Sequence, residues 1–195
     1  WSSTPDNVTI TVETRIAPPV FEWSVNVLFT YTFTSSHLSI KVAGEPRGNN
    51  FPSVFARIGL TLSLAGIETA EWFGRGPGES YRDKKLSQKI GNFSTAIDDL
   101  FTDYEFPQES GNRTDTRWVE FKGKNGGLKA SFADLDEASF CATHYDTTAL
   151  DESRHPYELR KRRREETVVR LDWAHHGLGT GSCGPSTLPE YELKA

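Results

Sequence analysis

Glu79, Tyr81, Arg82 and Asp83 stand together directly after a glycine-rich turn, and they are the residues of this sequence best equipped for polar chemistry. Carboxylates, a phenol and a guanidinium this close together either hydrogen-bond a polyhydroxylated ligand or fix a loop. The stretch that they close, Glu71–Asp83, reads Glu-Trp-Phe-Gly-Arg-Gly-Pro-Gly-Glu-Ser-Tyr-Arg-Asp. Two aromatics end an apolar run, and three glycines with a proline then turn the backbone. By residue chemistry alone this is a rigid, polar turn at the edge of a β-sheet.

Other candidates are weaker. His175 and His176 are adjacent, and neighbours on a strand point to opposite faces, which is poor geometry for one metal. No His, Cys, Asp or Glu spacing suggests a zinc site. Cys183 lies in Thr180-Gly181-Ser182-Cys183-Gly184-Pro185. By itself that segment reads as a glycine-rich turn between strands with a buried cysteine, and a thiol nucleophile paired with His175 has no motif to support it. Arg160-Lys161-Arg162-Arg163-Arg164 is followed at once by Glu165 and Glu166. Without the interleaved aromatics of a nucleic-acid platform, it reads as a solvated helix end or a patch facing another domain.

The elements that must position these residues are mostly strands. Val8–Val12 alternates apolar and polar side chains, the period-2 mark of a half-buried strand. Pro18-Pro19 breaks the pattern. Phe21–Thr34 and His37–Val42 continue the same sheet, and Gly44–Pro52 reads as a loop. Phe55–Leu64 and Ile67–Phe73 lead into the turn. Lys84–Leu100 is less regular, with a short helical turn at Ser94–Leu100. Arg117–Lys122 and Leu128–Phe132 flank a Gly/Asn-rich hairpin. Thr147–Leu159 is the best helix, limited by Pro156. Thr167–Trp173 is a strand, and Tyr191–Leu193 begins a last one. Many strands, Gly/Pro punctuation and scarce helix give an all-β sandwich.

Bulk properties agree. The chain has 195 residues, net charge −5, 36% hydrophobic and 25% charged residues, which fits one soluble domain covering residues 1–195. The acidic balance argues against a nucleic-acid partner, and no apolar run approaches the roughly 20 residues that span a bilayer. The chain opens at Trp1 with no leader pattern. We read it as mature or excised, with a cytoplasmic setting favoured over secretion. Cys141 and Cys183 are the only cysteines and read as free thiols. Asn7, Asn92 and Asn112 begin Asn-x-Ser/Thr tripeptides.

Four segments carry a resemblance. The Trp72-x-Gly74-x-Gly76-Pro77-x-Glu79-x-Tyr81-x-Asp83 run resembles a signature in the C-terminal domain of glycoside hydrolase family 2 β-galactosidases. Ala56-Arg57-Ile58-Gly59-Leu60, the Tyr104–Arg113 segment with Pro107-Gln108-Glu109, and Asp172–Gly179 leading into Thr180–Pro185 resemble further family segments, in family order. The resemblance implies a large two-sheet antiparallel supersandwich, similar to the galactose mutarotase fold, lacking the family domain's first segment. It implies that Ser182, Cys183 and Gly184 lie in the loop that reaches the galactoside substrate, with cysteine where many members carry tryptophan. Glu79, Tyr81, Arg82 and His175 become loop-fixing residues.

It also implies an absence. Retaining members use two glutamates about 5 Å apart, carried by a TIM-barrel domain. This chain has no βα repeat for one, and it is shorter than such barrels usually are. It should therefore hold no catalytic residue of its own and work beside that barrel. The family's magnesium and its sodium or potassium lie near the barrel, and no ligand set for them is recognisable here. Homo-oligomerisation is open. The other classes left standing are a stand-alone carbohydrate-binding module, a structural docking domain and a mutarotase-like enzyme.

Overall fold

The computed structural model describes residues 1–133, 137–181 and 183–195. The chain divides into two compact units, Trp1–Ser53 with Ala195, and Val54–Lys194. The first unit is one antiparallel sheet of β1 (Ser2–Ser3), β2 (Asn7–Ile16), β3 (Ser24–Thr34) and β4 (Leu38–Arg47), in that order. Register sorts its two faces by polarity. Val8, Ile10 and Val12 lie opposite Phe33, Tyr31 and Phe29, which lie opposite Leu38, Ile40 and Val42. The alternate positions carry threonines, with Thr9 opposite Thr32 and Thr11 opposite Thr30. β4 runs four residues into the stretch read as a loop and includes Pro46. An edge strand tolerates that proline because its missing N–H costs no ladder bond on the open side.

The second unit is a two-sheet sandwich. One sheet is ordered β7 (Lys89–Ala96), β6 (Ile67–Gly76), β8 (Trp118–Gly123) and β9 (Gly126–Ser131). The other is ordered β10 (Ser139–Thr143), β11 (Thr167–His175) and β5 (Arg57–Leu64). All pairings in both are antiparallel. The all-β sandwich expected from the sequence is therefore present. β6 buries Ala70, Trp72, Gly74 and Gly76 in alternation. Trp72, Val119 and Phe121 from the first sheet meet Phe140, Ala142 and Val169 from the second, and Ile97 and Leu100 of a 3-10 turn (Ile97–Leu100) close the end. Trp72 enters the core, whereas Phe73 faces the other side of β6 and stays half-exposed.

Local chemistry explains the remaining departures. The helix read over Thr147–Leu159 is two helices, α1 (Thr147–Glu152) and α2 (Pro156–Arg160). Pro156 disfavours helical backbone at the residue before it, so it starts a new helix instead of shortening one. Glu158 Oε2 accepts from the Arg154 and His155 N–H groups at that restart, at 2.8 and 3.2 Å. Tyr191–Leu193 does not begin a strand. Pro189–Tyr191 is a 3-10 turn, and an isolated Val54–Lys194 bridge follows.

The Phe140 ring packs edge-on against Trp72 at 5.5 Å and Phe121 at 5.9 Å, joining the two sheets. Phe140→Ala should cost about 3–5 kcal/mol, read as a lower denaturant midpoint with an unchanged slope. A loss below about 1 kcal/mol would mean that the two sheets do not depend on this contact.

Candidate functional site

After β6 the chain turns through Pro77 and Gly78, and Glu79 points back into the protein. Its carboxylate accepts from Lys84 Nζ (2.5 Å), Thr102 Oγ1 (2.9 Å), the Gly111 N–H (2.8 Å) and the Tyr104 hydroxyl. Burial alone would raise its pKa, but these four donors outweigh it and the net shift is downward. A general acid needs the opposite shift. Glu79 is thus a fixed anion that joins the turn to the 102–111 segment.

The next residues extend that stitching. The Ser80 N–H donates to Asn112 O (2.8 Å), Asn112 Nδ2 donates to Ser80 O (3.0 Å), and the Thr114 N–H donates to Ser80 Oγ (3.0 Å). Asn112 is fully buried, so its sequon is structural and offers no accessible amide. Tyr81 is also fully buried, its ring edge-on to His175 at 5.3 Å. Burial, reinforced by the Glu109 charge, pushes its phenol well above the ordinary range. Arg113 pairs with no carboxylate among the described residues. Its guanidinium donates to the carbonyls of Pro77, Leu100 and Gly111 (2.6–3.2 Å), and it lies over the Trp72 ring. The planar fork of five donors suits converging carbonyls as well as it suits a carboxylate.

Tyr81 and Lys84 exchange two backbone hydrogen bonds (3.0 and 2.9 Å), which leaves Arg82 and Asp83 at the tip of a tight turn. Asp83 Oδ1 accepts from the Leu178 N–H (3.0 Å) and Oδ2 from the Gly179 N–H (2.7 Å). Arg82 Nη1 donates to Glu192 O (3.0 Å). The loop after β11 is closed at its neck by Gly177 N–H to Tyr191 O (3.0 Å) and Thr187 Oγ1 to Gly177 O (2.9 Å). Its tip is a tight turn in which Thr180 O accepts from the N–H groups of Cys183 (2.9 Å) and Gly184 (2.6 Å). Thr180, Gly181, Cys183, Gly184 and Pro185 are exposed, and Ser182 lies outside the described residues. The cysteine read as buried on the plain reading of the turn is thus at the surface.

A charged cluster lies beneath. Arg57, at the start of β5, meets Glu109 at 2.7 Å and Asp172 at 3.2 Å. Arg170 approaches Glu109 at 3.6 Å and donates to Thr147 Oγ1 at 3.0 Å. A β-bulge between Asp172 and Ala174 shifts the register, so Asp172 and His175 are both buried despite their odd spacing. His175 Nδ1 is 2.6 Å from His176 O and Nε2 is 2.9 Å from Arg57 Nη2. These partners select the Nδ1–H tautomer, with Nε2 accepting. Burial first, then the Arg57 charge, lower the His175 pKa, so the ring is neutral. Both ring nitrogens are thus engaged, by a backbone carbonyl and a guanidinium. Cys141 is a buried free thiol pushed up to about 11, by burial first and then by Glu109.

A cavity of about 20 Å³ beside Arg82, Ser139 and His175 has room for a single water and none for a sugar ring. Among the described residues, no three His, Cys, Asp or Glu side chains converge as a metal site. Glu79, Glu109 and Asp172 already face Lys84 or Arg57, so the family's cations do not fit there. In the basic run, Arg160 meets Asp103 (2.6 Å), Arg162 meets Glu152 (2.5 Å), Arg163 meets Asp98 (2.6 Å) and Arg164 meets Asp146 (3.2 Å).

A family model described as β-galactosidase small chain matches residues 2–195. The chain belongs to that family. The β-galactosidase of Kluyveromyces lactis is 36% identical over 187 residues, which is 95% of this chain and 18% of the relative. That of Arthrobacter sp. (strain B7) is 31% identical over 94% of this chain and 18% of its own length. The β-galactosidase of Vibrio cholerae is 36% identical over 70% of this chain and 13% of its own length. The chain therefore spans less than a fifth of these curated relatives.

Within this small-chain domain, the sequence and its resemblance mark Glu79, Tyr81, Arg82 and His175 as loop-fixing and place Asp83 in the same polar turn, but they give Asp83 no partner and Arg170 no role. A contact between a carboxylate and a backbone N–H group 95 residues away leaves no periodic or motif signal, even where the carboxylate itself stands in a motif.

The cluster makes a pH-dependent prediction. Burial of Asp172, beside the competing Glu109 charge and against the attraction of Arg57, raises its pKa from 3.8 to about 6. The folded state thus holds this proton more tightly than the unfolded chain. The resulting stability is complete below pH 3.8 and is lost as pH rises through about 6. Glu79 runs the other way, contributing above pH 4.5 and losing that contribution as pH falls through its lowered folded value. Between pH 4.5 and 7 the wild type should lose on the order of 2 kcal/mol more than Asp172→Asn, measured by denaturant unfolding at each pH. Parallel profiles would contradict the assignment.

Proposed function

We propose that this domain is the C-terminal, rim-forming part of a β-galactosidase that hydrolyses terminal β-D-galactosides with retention. The domain packs beside a catalytic barrel supplied by the rest of the polypeptide. The galactosyl-enzyme forms on a carboxylate of that barrel, and this domain contributes the 180–185 tip to the outer edge of the sugar site. The observation that carries this reading is the loop itself, exposed at its tip yet tied at its neck. A surface turn that needed only to connect two segments would not require a dedicated carboxylate.

Cys183 and Gly184, with Ser182 between them and the rest of the tip, are the groups offered to substrate. A thiol presents a small, polarizable contact where an aromatic ring would stack on a sugar face. The domain's own carboxylates take no chemical step, because Glu79, Glu109 and Asp172 are held by cations or backbone N–H groups. Glu79, Tyr81, Arg82 and His175 hold the framework from which the loop extends.

Titration of galactose and lactose into the purified chain by isothermal calorimetry, beside a chromogenic β-galactoside assay, tests this reading. Silence in both is expected of a rim domain without its barrel. Binding without turnover would favour a stand-alone carbohydrate-binding module, and turnover would place a catalytic pair within these 195 residues.

A further inference from the structure

We infer that Asp83 is a positioning residue for the substrate-facing loop, setting where the 180–185 tip stands by capping its first two free backbone N–H groups. The inference rests on the rim reading above and deepens it, because it names the side chain through which the Trp72–Asp83 turn acts on that site.

The geometry is specific at both ends. On the donor side, Leu178 and Gly179 present successive N–H groups, and each takes a different oxygen of one carboxylate. Only a planar anion with two acceptor atoms meets both. Asparagine would turn an amide N–H₂ towards one of the donors. On the acceptor side, Asp83 has little freedom to follow a moving loop. It sits on the turn closed by the Tyr81–Lys84 pair, and Tyr81 is fixed by full burial. Arg82, its neighbour on the same tip, takes the Glu192 carbonyl on the returning arm. One dipeptide therefore grips the loop on both arms.

Two glycines of the loop fit this grip. A Cβ on Gly177 would lie 2.8 Å from Asp83 Cγ and 2.9 Å from Thr187 Cγ2. Gly179 adopts φ +64°, and a Cβ there would lie 2.5 Å from the Thr187 N–H nitrogen. The backbone approaches the carboxylate closely because those side chains are absent. Hydrogen bonds to a charged group resist opening more than neutral ones do, so losing both should raise the open population of this loop selectively.

The test uses the full-length enzyme carrying this domain, with Asp83→Ala, Asp83→Glu and Gly177→Ala. Gly177→Ala dislodges the same carboxylate from the loop side and guards against a folding defect peculiar to position 83. Hydrogen exchange followed by mass spectrometry reads the 177–188 segment, with β6 and β11 as internal references. Expected in Asp83→Ala is exchange at least about tenfold faster in 177–188 alone. KM for lactose should rise severalfold while kcat stays within about twofold, and Asp83→Glu should recover part of both effects. Gly177→Ala should shift exchange and KM the same way. Unchanged exchange in 177–188 would overturn the inference. Faster exchange with unchanged KM and kcat would leave the capping bonds intact as a fact of structure, but would overturn the role in the site and the rim reading with it.

Discussion

Glu79 is the constraint on which the rest of the site depends. Burying a carboxylate costs several kcal/mol unless its oxygens find donors, and this one finds four, from Lys84, Thr102, Tyr104 and Gly111. Those donors belong to two stretches that share no strand, the turn after β6 and the long connection before β8. The four bonds tie these two irregular stretches to each other. Tyr81 is buried as a consequence, and the Arg82–Asp83 tip is delivered to the loop after β11.

The same economy governs the other ionisable groups. Arg113 answers three carbonyls, Arg57 answers two carboxylates, and His175 stays neutral between Arg57 and a backbone oxygen. A retaining glycosidase needs one carboxyl that can give up its proton and another open to the anomeric carbon. Asp172 holds a raised pKa but is 1% exposed, and Glu79 is held low. The small-chain domain thus invests its buried charge in shape.

How much of this was legible in the sequence follows from the range of each interaction. Alternation in Val8–Val12 and the Gly-rich hairpin at 123–127 are local, and the strands appear where they were read. β10 escaped notice because all five of its residues are buried, which removes the period-2 signal. β7 escaped because Gly91 and Thr95 occupy inward positions where large apolar side chains were sought. Strand parity alone would set His175 on the face opposite Asp172, and the bulge at Trp173 cancels that count. The turn through Asp83 was visible as a motif, but its reach to Leu178 is a tertiary fact. Ser182, one of the three residues assigned to substrate, lies outside the described residues.

The most direct test of the central claim is to trap the glycosyl-enzyme of the full-length protein with a 2-deoxy-2-fluoro-β-galactoside and map the labelled peptide by mass spectrometry. The account predicts a label on a carboxylate outside these 195 residues and none on Glu79, Glu109 or Asp172. A label on any carboxylate of this chain would contradict it.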